Sequence, residues 1–261
     1  MTLPRVPATF HWAQQSWGPA LRCDSLTVVA PHCFSSRQLE LTTRAGQDAL
    51  AVAVGAQRLA MVTQVHGRAV VTVRAGVTDW RERPEADVIV SNAPDVAIAV
   101  RAADCAPLLM ADSVTGAVAA VHAGWRGTAA GAAVAAVEAL GREFGVRPAD
   151  VVVAIGPAIG TCCYEVGSEL VDAFAAAGHP RHLIDRWFSA PPPPRGSAVR
   201  SALRLDLAGA NRDQLILAGV PEQQVHLSGL CTAMHLEVLT SFRAEREQSG
   251  RMAAAIRAGS R

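Results

Sequence analysis

Residues 108–128 read LLMADSVTGAVAAVHAGWRGT, and the punctuation of this stretch decides the fold class. Leu108–Ala111 and Ala117–His122 are apolar runs of strand length, and Asp112-Ser113-Val114-Thr115-Gly116 between them carries the residues of a tight turn. A β-hairpin is the expected result. The pattern then changes. Beyond Gly127, Thr128 is placed to cap a helix running to about Phe144, alanine-rich and suited to packing its small face on a sheet.

Working outward, Leu59–Gln64, Ala69–Val73, Asp87–Ser91 and Val96–Val100 upstream and Val151–Ile155 downstream have the length and β-branched content of strands. Ser168 is a predicted cap for a helix over Glu169–Ala177 that Gly178 ends. Ser189–Val199 holds four successive prolines and is expected to be a surface loop. A further helix is predicted over Asp206–Leu217, stopped by Gly219-Val220-Pro221, and a last strand over Met252–Ile256. Strands outnumber helices and do not alternate with them regularly. The expectation is therefore an α/β (α+β) fold, one domain over residues 1–261, with mixed β-sheets flanked by helices.

Composition removes several function classes. Of 261 residues, 50% are hydrophobic and 18% charged, and 24 basic against 23 acidic side chains leave a formal charge of +1. Such a balance creates no field to hold nucleic acid or an anionic membrane, so ligands must be recognised locally, in a pocket. Every basic residue is Arg, which excludes Schiff-base chemistry and a Walker lysine and leaves anions to arginine forks or backbone amides. The first residues show no basic start followed by an apolar run, and Thr128–Leu140 is too short to span a bilayer. A cytoplasmic protein, monomeric or weakly homo-oligomeric, is expected. Its cysteines Cys23, Cys33, Cys105, Cys162, Cys163 and Cys231 should be reduced there, and none forms a C-x-x-C pair.

Three segments carry more than scaffolding: Thr63-Gln64-Val65-His66-Gly67, Ala103-Asp104-Cys105-Ala106-Pro107, and Val121-His122-Ala123-Gly124-Trp125-Arg126-Gly127. Each lies at a strand end, where a rigid sheet positions binding groups. Together they offer two imidazoles and a thiolate, enough for a zinc ion with one coordination position open, the arrangement of a catalytic site. Singly, His66 or His122 reads equally well as a hydrogen-bonded residue and Cys105 as a small buried group. Spacings of 39 and 17 residues do not choose between these readings. Gly124, Gly127 and Arg126 suit an anion beside the metal, or a simple strand-to-helix turn with an exposed arginine. In Gly156–Val166, a disulfide between the adjacent Cys162 and Cys163 would be strained, so both are expected in a pocket wall, with Tyr164 and Glu165 facing the pocket.

Taken together, Q-V-H-G at His66, A-D-C at Cys105, V-H-A-G-W-R-G at His122 and G-P-A-I-G-T-C-C-Y-E-V at Gly156–Val166 resemble the laccase-domain family. That family is also called multicopper polyphenol oxidase-like and includes peptidoglycan editing factors. The resemblance runs from about Phe34 to Ile256 and extends to Cys231-Thr232, Ser241-Phe242-Arg243 and Ser249-Gly250-Arg251-Met252. It implies zinc on His66, Cys105 and His122. It further implies phosphorolysis of adenosine, inosine, guanosine and 5'-methylthioadenosine, with adenosine deamination at the same site. Asp104, Cys105 and Arg126 are the expected catalytic residues, and Arg37, Gln64, Arg126, Tyr164, Glu165 and Arg243 those expected at the substrate. The chain departs from the family in the shortened Gln38–Gln57 segment, at Thr161 where Pro is common, and at Leu239-Thr240.

Phosphate, held by arginines with Arg126 and Arg37 as candidates, would attack C1' of the ribose as the purine leaves. A multicopper oxidase is disfavoured: it needs on the order of ten His ligands, and the chain has eight His and no H-x-H. A competing reading makes Cys105 a nucleophile with His122 as its base, in a metal-free hydrolase acting on aberrant peptidoglycan precursors. A nucleoside-binding module without turnover is the third.

Overall fold

The computed structural model describes residues 2–76, 83–190 and 202–259. In chain order its strands are β1 (Phe10–Gln15), β2 (Gly18–Cys23), β3 (His32–Ser35), β4 (Arg58–Met61), β5 (Val70–Val73), β6 (Val88–Ser91), β7 (Val96–Ala102), β8 (Ala106–Asp112), β9 (Val118–Ala123), β10 (Val151–Ile155), β11 (Glu165–Val166), β12 (Phe188–Ser189), β13 (Leu203–Leu205), β14 (Val225–Leu227) and β15 (Met252–Arg257). The helices are α1 (Asp24–Thr27), α2 (Arg44–Ala53), α3 (Trp125–Ala130), α4 (Ala132–Phe144), α5 (Glu169–Ala176), α6 (Arg181–Trp187), α7 (Leu207–Leu217) and α8 (Phe242–Glu245).

Among the described residues these strands form two six-stranded sheets, ordered β1-β2-β3-β15-β7-β4 and β14-β10-β8-β9-β6-β5, with a small β11-β13-β12 sheet to one side. Both large sheets are mixed, antiparallel through the middle with parallel pairs toward the edges. Alternation along the strands sorts the side chains into three apolar layers. Between the sheets, Phe34, Ile98, Val100, Ala254 and Ile256 of the first meet Ile89, Leu109, Ala111, Val118, Ala120 and Ala154 of the second. On the far face of the second sheet, Val88, Val90, Leu108, Met110, Val121 and Val153 pack under α4 to α7. On the far face of the first, Ala97, Ala99 and Ala253 pack against Leu50, Ala51 and Val54 at α2. The β6 and β8 runs are apolar up to their last residues, Ser91 and Asp112, because both faces are covered, and every residue of each is buried.

The predicted hairpin is present as β8–β9, and the mixed sheets flanked by helices are as expected. The predicted long helix is instead two. Gly124, not Thr128, precedes the first turn, and Gly131, left-handed at φ 80°, ends α3 before α4 begins. Thr128 lies buried inside α3, where its hydroxyl accepts from Asn211 Nδ2 at 2.9 Å, so it ties α3 to α7 rather than capping. The strand predicted over Leu59–Gln64 stops at Met61, because the chain there leaves the first sheet for the second. Ser168 makes no side-chain cap bond, while Asp206 does, accepting from Gly209 N–H at 2.9 Å. Strands β1–β3 and helices α2 and α6 have no counterpart in the sequence reading. Most of the predicted Ser189–Val199 loop lies outside the described residues. No helix among the described residues is long and apolar enough to cross a membrane.

Candidate active site

The two sheets are joined by chain segments that cross from one to the other, and the crossings build the site. Between β4 of the first sheet and β5 of the second runs the loop with His66; between β7 and β8 runs the short link with Cys105. His122 stands near the end of β9, on the face that Val118 and Ala120 turn toward the other sheet. The ligand atoms of His66, Cys105 and His122 all lie within 4.8 Å of one another. The two imidazoles meet edge to face, centroids 4.9 Å apart at 77°.

Asp87 organises this convergence. The β6–β9 register pairs Val88 with Val121, which sets Asp87 directly across from His122. Its fully buried carboxylate accepts from His122 Nδ1–H at 2.8 Å and from the backbone N–H groups of Val65 (3.3 Å), His66 (3.0 Å) and Gly67 (2.6 Å). One anion thus orients the imidazole and folds the His66 loop around itself. His66 is left-handed at φ 62° and Asp104 at φ 90°, conformations that L residues hold only when their surroundings over-determine them. Burial opposes the Asp87 charge, but the bonds from His122 and Gly67 outweigh it and hold the carboxyl below its usual range. Burial likewise opposes charge on Cys105 and His122. Their mutual hydrogen bond, with His66 and Asp87 behind them, prevails, lowering the thiol and raising the imidazole.

Gly124 completes the cradle. The β8–β9 register brings it opposite Cys105, and a Cβ there would stand 2.8 Å from Cys105 Sγ and 3.2 Å from His66 Cδ2. Gly127 is needed by packing instead: a Cβ would lie 3.1 Å from the Gly67 carbonyl. The donor set fits a metal ion. Two imidazoles and a thiolate leave one tetrahedral position open, and the Asp87 carboxylate behind His122 is the outer support such ligands use.

A cavity of about 660 Å³ opens on the three ligands, lined also by Gln64, Asp104, Tyr164, Phe242 and the arginines Arg101, Arg243, Arg246 and Arg251. Several expected substrate residues have other work. Gln64 uses both ends of its amide on the Arg101 backbone, donating to O at 2.7 Å and accepting from N–H at 2.9 Å, and so binds the His66 loop to β7. Asp104 accepts from Thr232 Oγ1 at 2.5 Å and from Arg243 N–H at 2.6 Å, tying the Cys105 link to the C-terminal segments. Arg37 is not among the lining residues: it pairs with Glu245 at 2.8 Å and donates to the Leu236 carbonyl. Arg126 is exposed, its guanidinium 4.3 Å over the Trp125 ring, and also lies off the lining. Glu165 is exposed beside Arg204; its carbonyl, rather than its carboxylate, meets Arg243, at 3.0 Å. Tyr164 does face the cavity, under Arg243 at 5.2 Å, and burial is the main cause that raises its phenol to about 12.

Sequence reasoning does not reach Asp87, Arg101 or Arg246. The one available signal for Asp87 is an acidic residue opening an otherwise apolar strand. Arg101 lies half-buried with its Nε unpartnered, and burial together with the charges of Arg83 and Arg251 disfavours its positive charge.

Known proteins share this architecture. The chain is 35% identical over 258 residues to a purine nucleoside phosphorylase of Deinococcus radiodurans, covering 91% of this chain and 92% of that protein. A purine nucleoside phosphorylase of Bacteroides thetaiotaomicron is 36% identical over 172 residues, 65% of this chain, and the chain spans 60% of that protein's length. Adenosine deaminase RL5, from an unknown prokaryotic organism, is 35% identical across 70% of this chain and 69% of its own length. The crystal structure of YlmD from Geobacillus stearothermophilus superposes with a TM-score of 0.78 at 29% identity, over 95% of this chain and 99% of that one. The family model described as multi-copper polyphenol oxidoreductase laccase matches residues 38–259, and with most of its length so matched the chain belongs to that family.

Proposed function

We propose that the protein is a zinc-dependent purine nucleoside phosphorylase, with adenosine deamination as a second activity of the same site. The observation that carries this reading is the 660 Å³ cavity in which a carboxylate-backed His/Cys trio shares one wall space with four arginines. The relatives' names point the same way. His66, Cys105 and His122 would hold the ion, which would supply Lewis-acid polarisation of an oxygen when bound. The arginines bind phosphate, and an anion among them relieves their mutual repulsion. The phosphate oxygen forms a bond to C1' as the C1'–N9 bond breaks, giving free base and ribose 1-phosphate. Tyr164, kept neutral by burial, lies where it can pass a proton to the departing base. Phe242, 41% exposed on the cavity rim, offers the base an apolar face.

The test is release of hypoxanthine from inosine by zinc-loaded protein with and without phosphate. Release that requires phosphate is expected; release without it, or none, overturns the phosphorylase reading. Arg246→Ala should raise KM for phosphate by about tenfold or more, the loss of one charge-assisted hydrogen bond. The eight histidines and the absence of a further His cluster among the described residues leave no ligand set for a multicopper oxidase.

One observation favours a second reading. His122 stands between Asp87 and Cys105, which is the relation of base to orienting carboxylate and nucleophile. A metal-free hydrolase built this way would be inactivated by alkylating Cys105 and indifferent to chelators; loss of activity on chelation excludes it.

A further inference from the structure

A second group of sulfurs lies outside the cavity and takes no part in the proposed reaction. Cys162 and Cys163 sit on the turn after Gly160, where Cys163 and Tyr164 N–H both donate to the Gly160 carbonyl at 3.0 Å. Cys231 arrives from a distant part of the chain. An isolated parallel bridge pairs it with Ala158, closed by Ala158 N–H to Leu230 O (3.2 Å) and Thr232 N–H to Ala158 O (3.0 Å). Gly160 N–H points at Cys231 Sγ, 3.3 Å away. The three sulfurs all fall within 4.8 Å of one another, and none is in a disulfide.

We propose that Cys162, Cys163 and Cys231 form a three-thiolate site for a soft monovalent cation, Cu(I), separate from the His66–Cys105–His122 centre. The donors are all sulfur, the set that selects soft ions, and three thiolates complete a trigonal Cu(I) site, whereas a structural zinc wants a fourth ligand. Metal–sulfur bonds of about 2.3 Å place trigonal sulfurs about 4 Å apart, and the three sulfurs already lie within 4.8 Å of one another. The backbone is already committed to the arrangement. A Cβ on Gly160 would stand 3.2 Å from Cys231 Cβ and 3.4 Å from Cys162 Sγ, so glycine lets the sulfurs close up. Burial is graded across the set: Cys231 is buried, Cys163 half-buried and Cys162 exposed, leaving a route of entry. Binding forms three Cu–S bonds, releases the thiol protons to solvent and changes no oxidation state.

The site adjoins the catalytic cavity without belonging to it. Tyr164 follows Cys163 directly, and Thr232, next to Cys231, holds Asp104 at 2.5 Å. A cation between the sulfurs therefore braces the turn that carries Tyr164.

The experiment uses the full chain carrying Cys105→Ser, so that the first centre lacks its thiolate. It is titrated with Cu(I) under reducing, anaerobic conditions against the chromophoric chelator bicinchoninate. One tightly held Cu(I) per chain is expected, with affinity falling on the order of a hundredfold when Cys162→Ser or Cys231→Ser is added. Cys162 is exposed, so its variant keeps the test sound even if Cys231→Ser does not fold. Less than one tight Cu(I), or an affinity that neither substitution moves, overturns the proposal. Inosine turnover plays no part in this readout, so the phosphorylase reading stands or falls separately.

Discussion

Asp87 holds four donors with two oxygens, and the consequences are sharpest at the scale of single residues. Its bond to His122 Nδ1 leaves Nε2 for the metal, and its three backbone bonds keep His66 in a left-handed conformation it would not choose alone. Asp87→Asn keeps the shape but presents a neutral oxygen and an N–H where acceptors are needed. Zinc affinity, measured by chelator competition, should fall about 10–100-fold, and inosine turnover should fall with it; unchanged affinity would show the carboxylate to be structural only. Gly124→Ala tests the cradle from the other side. The new methyl would meet Cys105 Sγ at 2.8 Å, so the variant should bind zinc poorly, keep the parent's circular dichroism, and melt like the chelated parent rather than the loaded one.

Strand and helix junctions carry their own chemistry. His32 in β3 is buried, accepting from Cys23 N–H on β2 at 2.9 Å and donating through Nδ1 to the Ala30 carbonyl at 3.0 Å. A second proton would face a donor, and burial, the largest influence, lowers this imidazole from 6.5 to about 4. Since the folded value lies below the unfolded one, protons bind the unfolded chain preferentially. The stability His32 contributes is whole above about 6.5 and drains away as pH falls toward about 4. Comparing urea unfolding at pH 7.5 and 4.5, the parent should lose up to about 3 kcal/mol more than His32→Gln does; parallel losses would refute it. Gly156 is a second such junction, since a Cβ there would enter the Phe34 ring at 2.3 Å, between β10 and β3. Gly156→Ala should cost about 1–3 kcal/mol by overpacking, read as a lower Tm with zinc content unchanged.

At the scale of the whole molecule, the candidate metal site lies on the seam between two sheets, where a bound ion would act as a clasp. His66 and Cys105 sit on the links that cross from the first sheet to the second, and His122 belongs to the second. An ion that binds only the folded chain stabilises it by about 2.7 kcal/mol at a hundred times its Kd, so chelation should lower Tm by roughly 5–10 °C. Cys105→Ser should abolish that shift; a Tm indifferent to chelators in the parent would separate the clasp from stability. The sequence by itself determined the elements whose signals are local. The β8–β9 hairpin was legible in its turn residues, the buried strands in their continuous apolar runs, and His66, Cys105 and His122 as metal-site candidates at strand ends within family-like motifs. What remained out of reach depends on which strands become neighbours. Asp87 faces His122 only through the β6–β9 register, and Cys231 meets Cys162 only through the bridge that pairs it with Ala158, 73 residues away in the chain (231 minus 158). Arg37 and Arg126, attractive as anion forks in the sequence, are occupied by Glu245 and by the Trp125 ring. Periodicity and turn chemistry act over a few residues, so they specify strands and turns. Pairing across the sheets is settled by the burial of three apolar layers at once, and only that global packing decides which polar groups are left to face one another at the seam.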